Sequence, residues 1–275
     1  MLDQRRVIIE KVSPCLDGGL HPIKCVTGDR IDVESDIICD GHDLLAASVR
    51  FKHEKERNWK EVRMWPLEND RWKGYFQVEK QGFYEYKVEA WSDHGLNWQH
   101  GIERKIADNQ KVGVELLEGA QLLRSRKSLA PAVVKKQIDL WAALMEDEHR
   151  YDEALKLATS SEVHDFFVQY PDKFLANESQ PLKAFVDRSK ARFSTWYEFF
   201  PRSASQEPGK HGTFKDCHRL LPRIAAMGFD VLYFPPVHPI GEVNRKGKNN
   251  TTEAQPGDVG STWGIGSKHG GHKDI

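Results

Sequence analysis

Hydrophobic and polar positions alternate along the first hundred residues. In residues 31–39, Ile31 and Val33 stand two apart before an apolar end, and Val49 and Phe51 repeat that spacing in residues 47–51. Trp72, Tyr75, Phe76 and Val78 then lead to Gly82. From there Tyr84, Tyr86, Val88 and Ala90 share one face, with Glu85, Lys87 and Glu89 between them. Period two in aromatic and β-branched residues predicts half-buried strands. Turn signals separate the runs at Gly18-Gly19, Thr27-Gly28-Asp29, Asp40-Gly41-His42 and Glu68-Asn69-Asp70. Short strands at this interval predict an all-β, immunoglobulin-like sandwich over residues 1 to about 105.

The period then lengthens. Val114-Glu-Leu-Leu-Glu-Gly-Ala-Gln-Leu-Leu has helical spacing, and Val134, Ile138, Trp141 and Leu144/Met145 follow at steps of three or four. Ala154, Leu155 and Leu157 continue the pattern, and Phe166, Phe167 and Tyr170 precede Pro171. Three or four amphipathic helices are predicted over 107–190, their charged faces solvated. From residue 191 the pattern changes again. Residues 193–200 read as an apolar strand ended by Pro201. A polar loop runs to Gly212, and residues 214–227 read as a helix with Leu220, Leu221, Ile224 and Ala225 inward and Gly228 as C-cap. Residues 229–234 read as a buried strand stopped by Pro235-Pro236. Strand, helix and strand in this order predict one βαβ unit and hence a parallel sheet. The Gly-, Asn- and His-rich remainder shows no further clear element. A (β/α)₈ barrel takes about 250 residues, so residues 191–275 are expected to hold only the start of one. The expected division is a β-sandwich at 1–106, a helical connecting segment at 107–190 and an incomplete barrel at 191–275.

Charge narrows the functional classes. The 275 residues carry 40 Lys+Arg against 41 Asp+Glu, a formal charge of −1, which excludes nucleic-acid binding driven by net basicity. No run approaches 18 apolar residues, so no membrane-spanning helix is expected. The N-terminus has charges but no apolar stretch of signal-peptide length, which predicts a cytoplasmic location. Cys15, Cys25, Cys39 and Cys217 have no CxxC spacing and read as reduced thiols, although three within the first 40 residues leave one disulfide open. Two glycosylation sequons, at Asn177 and Asn249, carry little weight without a secretion signal.

Several long runs in the last third are distinctive. They are Trp196-Tyr197-Glu198-Phe199-Phe200-Pro201-Arg202-Ser203, His211-Gly212-Thr213-Phe214, and the stretch from Ala226-Met227-Gly228-Phe229-Asp230 through Pro235-Pro236-Val237-His238-Pro239-Ile240-Gly241. Arg245-Lys246-Gly247-Lys248-Asn249-Asn250-Thr251 and Gly257-Asp258-Val259-Gly260-Ser261 complete the set. Together they resemble the start of the catalytic barrel in the maltose-1-phosphate maltosyltransferases, members of the α-amylase superfamily (glycoside hydrolase family 13). Residues 46–51, Asp70-Arg-Trp-Lys-Gly, Tyr86-Lys-Val-Glu-Ala-Trp91 and Leu116-Leu-Glu-Gly-Ala120 resemble that family's N-terminal sandwich and the helical segment after it. The likeness spans nearly the whole chain.

This resemblance implies transfer of a maltosyl unit from α-maltose 1-phosphate to the non-reducing end of an α-1,4-glucan with retention, and so a double displacement on two carboxyl groups. In the family these are an Asp ending the fourth barrel strand and a Glu ending the fifth. Asp230 and Glu198 lie in the second and first strands and match neither, so no catalytic residue is assigned and the acids are expected beyond residue 275. One contact carries over. The Lys of the Arg-Lys-Gly-x-Asn-Asn loop helps hold the maltosyl donor, and here it is Lys246. The loop follows the second strand, on the active-site face of a barrel, and an ammonium offers up to three hydrogen bonds to sugar hydroxyls. Asn249 and Asn250 are weaker candidates, because Asn also favours turns. No cofactor or metal is implied. The implied partners are maltose 1-phosphate, an α-1,4-glucan and a second copy in a homodimer, with no nucleic acid and no membrane.

Other residues stand out less. His238 reads equally as a cleft residue or a turn histidine. His269-Gly-Gly-His272 lacks arranged Cys or carboxylate partners and reads as loop rather than metal site. Trp72, Trp91 and Trp98 in the sandwich offer a sugar-stacking platform, although Trp72 and Trp91 sit in strand patterns that favour core. Gly264-Ile-Gly266 lacks a following helix and is no nucleotide fingerprint. Two other readings stay open: a non-catalytic dimerisation or glucan-binding module, and a hydrolytic α-amylase relative, against which the Arg-Lys-Gly-Lys-Asn-Asn loop argues.

Overall fold

The structure is a computed structural model and describes residues 6–274. These divide into two compact units, one ending at Arg188 and the other starting at Ser189.

Alternation in the first unit builds two sheets. Eight strands come first: β1 (Val7–Ser13), β2 (Ile23–Val26), β3 (Arg30–Cys39), β4 (Leu45–His53), β5 (Lys60–Arg63), β6 (Trp65–Pro66), β7 (Arg71–Gln77) and β8 (Gly82–Ser92). After the helices come β9 (Asn177–Glu178) and β10 (Leu182–Asp187). One sheet has the order β1-β3-β7-β6, and the other β2-β10-β8-β4-β5 with β9 added on β8. Ile31, Val33, Ile37 and Phe76 of the first sheet share one core with Val49, Tyr86, Val88 and Ala184 of the second. The face expected along β8 is the inner one: Tyr84 is 4% exposed, and Tyr86, Val88 and Ala90 are fully buried. Full burial of such a side chain stabilises by about 1.5–3 kcal/mol, so this one strand anchors much of the sheet.

Two expectations fail here for physical reasons. The strand pattern does not run to residue 105. It ends at Ser92, and α1 (His94–Ala107) begins at once. Asp93 caps it, its Oδ1 accepting from Leu96 N at 3.2 Å. Gly95, Trp98, Gln99 and Ile102 face inward at the spacing of a helix stripe, so Trp98 belongs to a helix and not to the sandwich. The segment 107–190 is also not helical to its end. After α2 (Gly113–Ser125), α3 (Ala132–Met145), α4 (Tyr151–Ala158) and α5 (Ser161–Gln169), the chain returns to the second sheet as β10. Leu182, Ala184 and Val186 are buried there. β10 runs antiparallel to β8 and parallel to β2, from Ala184 opposite Ile23 to Asp187 opposite Val26. The helices are thus an excursion between strands of one sheet.

The helices have their own core around Trp98, Leu116, Leu123, Ile138, Ala142 and Phe167. Where α1 meets α2, the Trp98 ring lies against Gly119 so closely that a Cβ there would stand 2.1 Å from Cζ2. Trp98 Nε1 donates to Glu115 O at 2.7 Å, which fixes the ring in place. Among the described residues, no helix is long and apolar enough to cross a membrane.

The second unit opens with a strand–helix–strand passage. β11 (Trp196–Glu198) pairs in parallel with β12 (Val231–Tyr233), Trp196 opposite Val231. Both strands are shorter than the apolar runs that contain them, and Phe193 is 77% exposed. The expected single helix is two, α6 (Phe214–His218) and α7 (Leu221–Ala226). Pro222 has no N–H to continue α6, so a new helix starts there instead. The break also turns the stripe: Ile224 and Cys217 are buried, while Leu221 is exposed. The cap at Gly228 forms as expected, its N–H donating to Ala225 O at 2.9 Å. Among the described residues the two strands form a sheet of their own and no barrel closes.

Candidate functional site

Pro235-Pro236 ends the second strand region and starts the long loop of residues 237–274. Backbone pairing shapes it: Gly241 N donates to Gly264 O at 2.6 Å, and Gly266 N to Pro239 O at 2.8 Å. Arg245 then pins the turn, with Nε to Gly241 O at 2.9 Å and Nη2 to Ile240 O at 3.2 Å. Gly260 has φ +80°, and a Cβ there would stand 2.9 Å from Arg245 Cγ, so both the conformation and the close approach require glycine. Gly247 N donates to Thr251 O at 3.0 Å and closes the turn that carries the two asparagines. Asn249 and Asn250 have φ 54° and 61°, a left-handed conformation that asparagine tolerates better than most residues.

Two clefts flank this loop. The first, about 550 Å³, is walled by Pro235, Pro236, His238 and Ile240 among others. The second, about 650 Å³, is walled by Lys246, Lys248, Asn249, Asn250, Asp258 and Trp263 among others. Both volumes fall in the range of small-molecule sites. Phe200, Arg202, His211, Val259 and Thr262 line both. Lys246, Asn249 and Asn250 therefore share one cleft. Lys246 is half-buried and the two asparagines are exposed. Among the described residues, the Lys246 ammonium makes no hydrogen bond or ion pair. One ammonium and two amides supply donors and acceptors suited to a polyhydroxylated ligand.

These walls hold no acid pair. Asp258 is the one carboxylate among the described residues lining the two clefts, and its Oδ2 accepts from Gln255 N at 2.8 Å. Retaining glycosyl transfer needs two carboxyl groups about 5–5.5 Å apart. Asp230 is tied up elsewhere, with Oδ1 2.7 Å from Lys190 Nζ and Oδ2 accepting from Thr195 N at 3.1 Å. The Lys190 ammonium, followed by the Thr195 N–H, holds its carboxyl below the usual range. Glu198 is exposed on β11.

The remaining candidates fall as follows. His238 lines the first cleft, and its Nδ1 lies 3.0 Å from Asp274 O, so it has both roles left open for it. His269 and His272 sit in a loop where His269 N donates to Ser267 Oγ at 3.0 Å. Trp72, Trp91 and Trp98 are all buried, which removes them as a sugar platform. Trp91 lies between the Arg63 guanidinium at 4.8 Å and the Lys173 ammonium at 4.6 Å. Sequence reasoning passed over Arg202, His211 and Thr262 as site residues. Arg202 and His211 stand inside the distinctive runs, and a cation directly after an apolar strand and a proline was the available signal; nothing marked Thr262.

Comparison with known proteins adds to this geometry. The family model for alpha-1,4-glucan:maltose-1-phosphate maltosyltransferase, domain N/S, matches residues 5–188. A protein of that name from Methylacidiphilum infernorum is 44% identical over 275 residues, covering 99% of this chain and 41% of its own length. Its namesake from Chlorobaculum tepidum is 44% identical over 287 residues, with 99% and 41% covered. The one from Myxococcus xanthus is 44% identical over 279 residues, with 98% and 42% covered. The chain thus spans about two-fifths of the length of these relatives. With more than half of its residues matched by the family model, and nearly all of them aligned to relatives of one name, the chain belongs to the alpha-1,4-glucan:maltose-1-phosphate maltosyltransferase family.

Proposed function

We propose that this chain is the N-terminal part of a retaining glycosyltransferase that moves a maltosyl unit from α-maltose 1-phosphate to the non-reducing end of an α-1,4-glucan, in glycogen-like glucan synthesis. The observation that carries the reading is the second cleft, where Lys246, Asn249 and Asn250 meet in a chain whose relatives bear that name. In this reading the cleft is the donor side of the active site. Lys246 donates hydrogen bonds to maltosyl hydroxyls, and Asn249 and Asn250 complete the contact. No nucleophile and no acid/base is assigned within residues 1–275, and no cofactor is required.

The architecture follows the same reading. In this reading the strands within residues 7–92 and 177–187 form an immunoglobulin-like sandwich, residues 94–169 a helical segment inserted between them, and 191–275 the start of an amylase-type (β/α)₈ barrel whose first βαβ is β11, α6–α7 and β12. The protein is cytoplasmic and a homodimer. The exposed apolar side chains Val114, Val133 and Leu140 of the helical segment are the observation that favours self-association. One observation favours a second reading for the 275 residues taken alone: cleft walls with a single carboxylate suit a binding or assembly module. A phosphate-release assay tests the transferase reading. The full-length protein, given maltose 1-phosphate and a maltohexaose acceptor, should release inorganic phosphate and lengthen the acceptor by two glucose units. Release of free maltose without acceptor extension would replace the transferase with a hydrolytic α-amylase relative.

A further inference from the structure

The outer face of the first sheet carries an aromatic pair that the fold leaves open. Trp65 on β6 stands opposite Lys73 on β7, and Tyr75, two residues further along β7, stands opposite Asp32 on β3. Both rings therefore share the face turned away from the core that holds Trp72 and Phe76. Trp65 is 40% exposed and Tyr75 43%. Apolar side chains scattered singly over a surface are ordinary, but two large rings in contact at a sheet edge are not scattered. Their centroids lie 5.9 Å apart with the planes at 77°, so they form a corner. The Arg30 guanidinium lies 4.8 Å from the Tyr75 ring centroid and is itself held by Asp32 at 3.0 Å, which sets the ring in place. Among the described residues neither the Trp65 indole N–H nor the Tyr75 hydroxyl makes a hydrogen bond, so both polar tips are left for a ligand. The surroundings select its chemistry. Arg30 and Lys73 are balanced by Asp32 and Glu34, Lys73 Nζ lying 3.4 Å from Asp32 Oδ1 and 3.5 Å from Glu34 Oε1. A charged ligand gains little from charges already paired. Two rings at two-fifths exposure also fall far short of a stable protein interface, which buries about 800 Å² on each partner. A neutral polyhydroxylated chain fits both limits. The C–H face of a pyranose packs on an aromatic ring, and its rim of hydroxyls meets ammonium donors and carboxylate acceptors.

We propose that Trp65 and Tyr75, with Lys73 and Asp32 beside them, form a surface site for a segment of α-1,4-glucan. The choice of glucan rests on the transferase reading above; the platform itself rests on the geometry of this sheet. Neither ring lines the two clefts at the Lys246 loop. The site holds a polymer along its length and so raises the concentration of its ends around the protein, without touching the reacting atoms.

The test uses the full-length protein with soluble glycogen and maltohexaose as separate probes. Binding is read by retardation in native gels containing glycogen, and turnover by acceptor-dependent phosphate release from maltose 1-phosphate. Trp65→Ala and Tyr75→Ala should each weaken glycogen binding by about 2- to 12-fold, the range for one aromatic contact, and raise KM for glycogen in step. Tm and kcat/KM for maltohexaose should stay at wild-type values. Trp65→Phe, which keeps a ring, should retain most of the affinity. Phe83→Ala removes a similarly exposed ring from the other sheet and should change neither readout. Unchanged glycogen affinity in the folded double variant Trp65→Ala, Tyr75→Ala, while Lys246→Ala still loses turnover, would overturn the platform alone. Equal loss with glycogen and maltohexaose would also overturn it, by tying both rings to turnover itself. A weaker affinity that came with a changed oligomeric state would overturn it too, by assigning the pair to an interface between copies. Glycogen binding that depends on Trp65, in a protein that transfers no maltosyl unit, would keep the platform and remove the transferase reading.

Discussion

The same substitution at two helix glycines should change stability in opposite directions. Gly101 lies in α1 and Gly119 in α2, both inside their helices. Alanine normally gains about 0.8–1 kcal/mol over glycine in a helix interior. At Gly101 a Cβ meets nothing within 4 Å, so Gly101→Ala should show that gain. At Gly119 the Cβ would lie 2.1 Å from Trp98 Cζ2 and 2.7 Å from Cε2 and Cη2. The indole has little room to retreat. Trp98 is only 7% exposed, meets Phe167 edge-on at 5.8 Å and donates to Glu115 O at 2.7 Å. Overpacking of this kind costs about 1–3 kcal/mol, and loss of the indole hydrogen bond about 0.5–1.5 kcal/mol. After the propensity gain, Gly119→Ala should lose about 0.5–4 kcal/mol. In a unit of this size each kcal/mol moves Tm by about 2–4 °C. Urea and thermal unfolding followed by near-UV circular dichroism would report both variants. Equal stabilisation by the two would mean that the Trp98 ring is not held against α2, and that the helical core is assembled differently.

Further outcomes follow from the same structure. Purified as 275 residues, the chain should release no phosphate from maltose 1-phosphate above a control without protein; turnover by homogeneous material would reveal an acid pair outside the two clefts. Hydrogen exchange should be slow across residues 84–91, which are mostly buried, and fast across residues 229–234, where β12 has one neighbour and Tyr233 is 39% exposed; equal protection in a monomer would contradict this. Glu56 hydrogen-bonds Lys80 at 2.9 Å and Lys60 at 3.2 Å, and these ammonium groups hold its pKa down at about 2. A folded pKa below the ordinary 4.5 stabilises fully above about pH 4.5 and is lost as pH falls toward 2, so Glu56→Gln should flatten the fall of Tm over that window. A fall parallel to wild type would remove Glu56 from the acid response.

Legibility in the sequence tracked the length and regularity of each pattern. The Tyr84–Ala90 alternation was readable because four inward positions repeat without interruption. β10 was not read, because Leu182, Ala184 and Val186 make only three such positions and follow a long helical passage. α1 did carry its signal, Asp93 as cap and then Trp98 and Ile102 four apart. The aromatic run ending at Trp91 masked it by extending the strand pattern forward. In the second unit, Pro222 sits in a stripe of helical spacing, and there the missing N–H overrode the hydrophobic pattern. The site divides in the same way. Lys246, Asn249 and Asn250 are neighbours in the chain, so one turn brings them together. Arg202 and Thr262 are sixty positions apart, and no spacing rule joins them; the backbone pairing of Gly241 with Gly264 and of Gly266 with Pro239 belongs to the loop that places Thr262 in the cleft wall.

Lys246 in the full-length protein is the most direct point of test for a maltosyl-donor cleft. Its ammonium has no partner among the described residues to lose, and substitutions at such positions usually stay within about 0.5 kcal/mol in stability. A lost charged hydrogen bond to the donor is worth about 1.5–3 kcal/mol, or about 10- to 150-fold in kcat/KM. Lys246→Ala should therefore keep the wild-type Tm within a few degrees and lose kcat/KM for maltose 1-phosphate by that factor. An unchanged kcat/KM in a fully folded variant would make Lys246 a solvated loop lysine and remove the donor from this cleft.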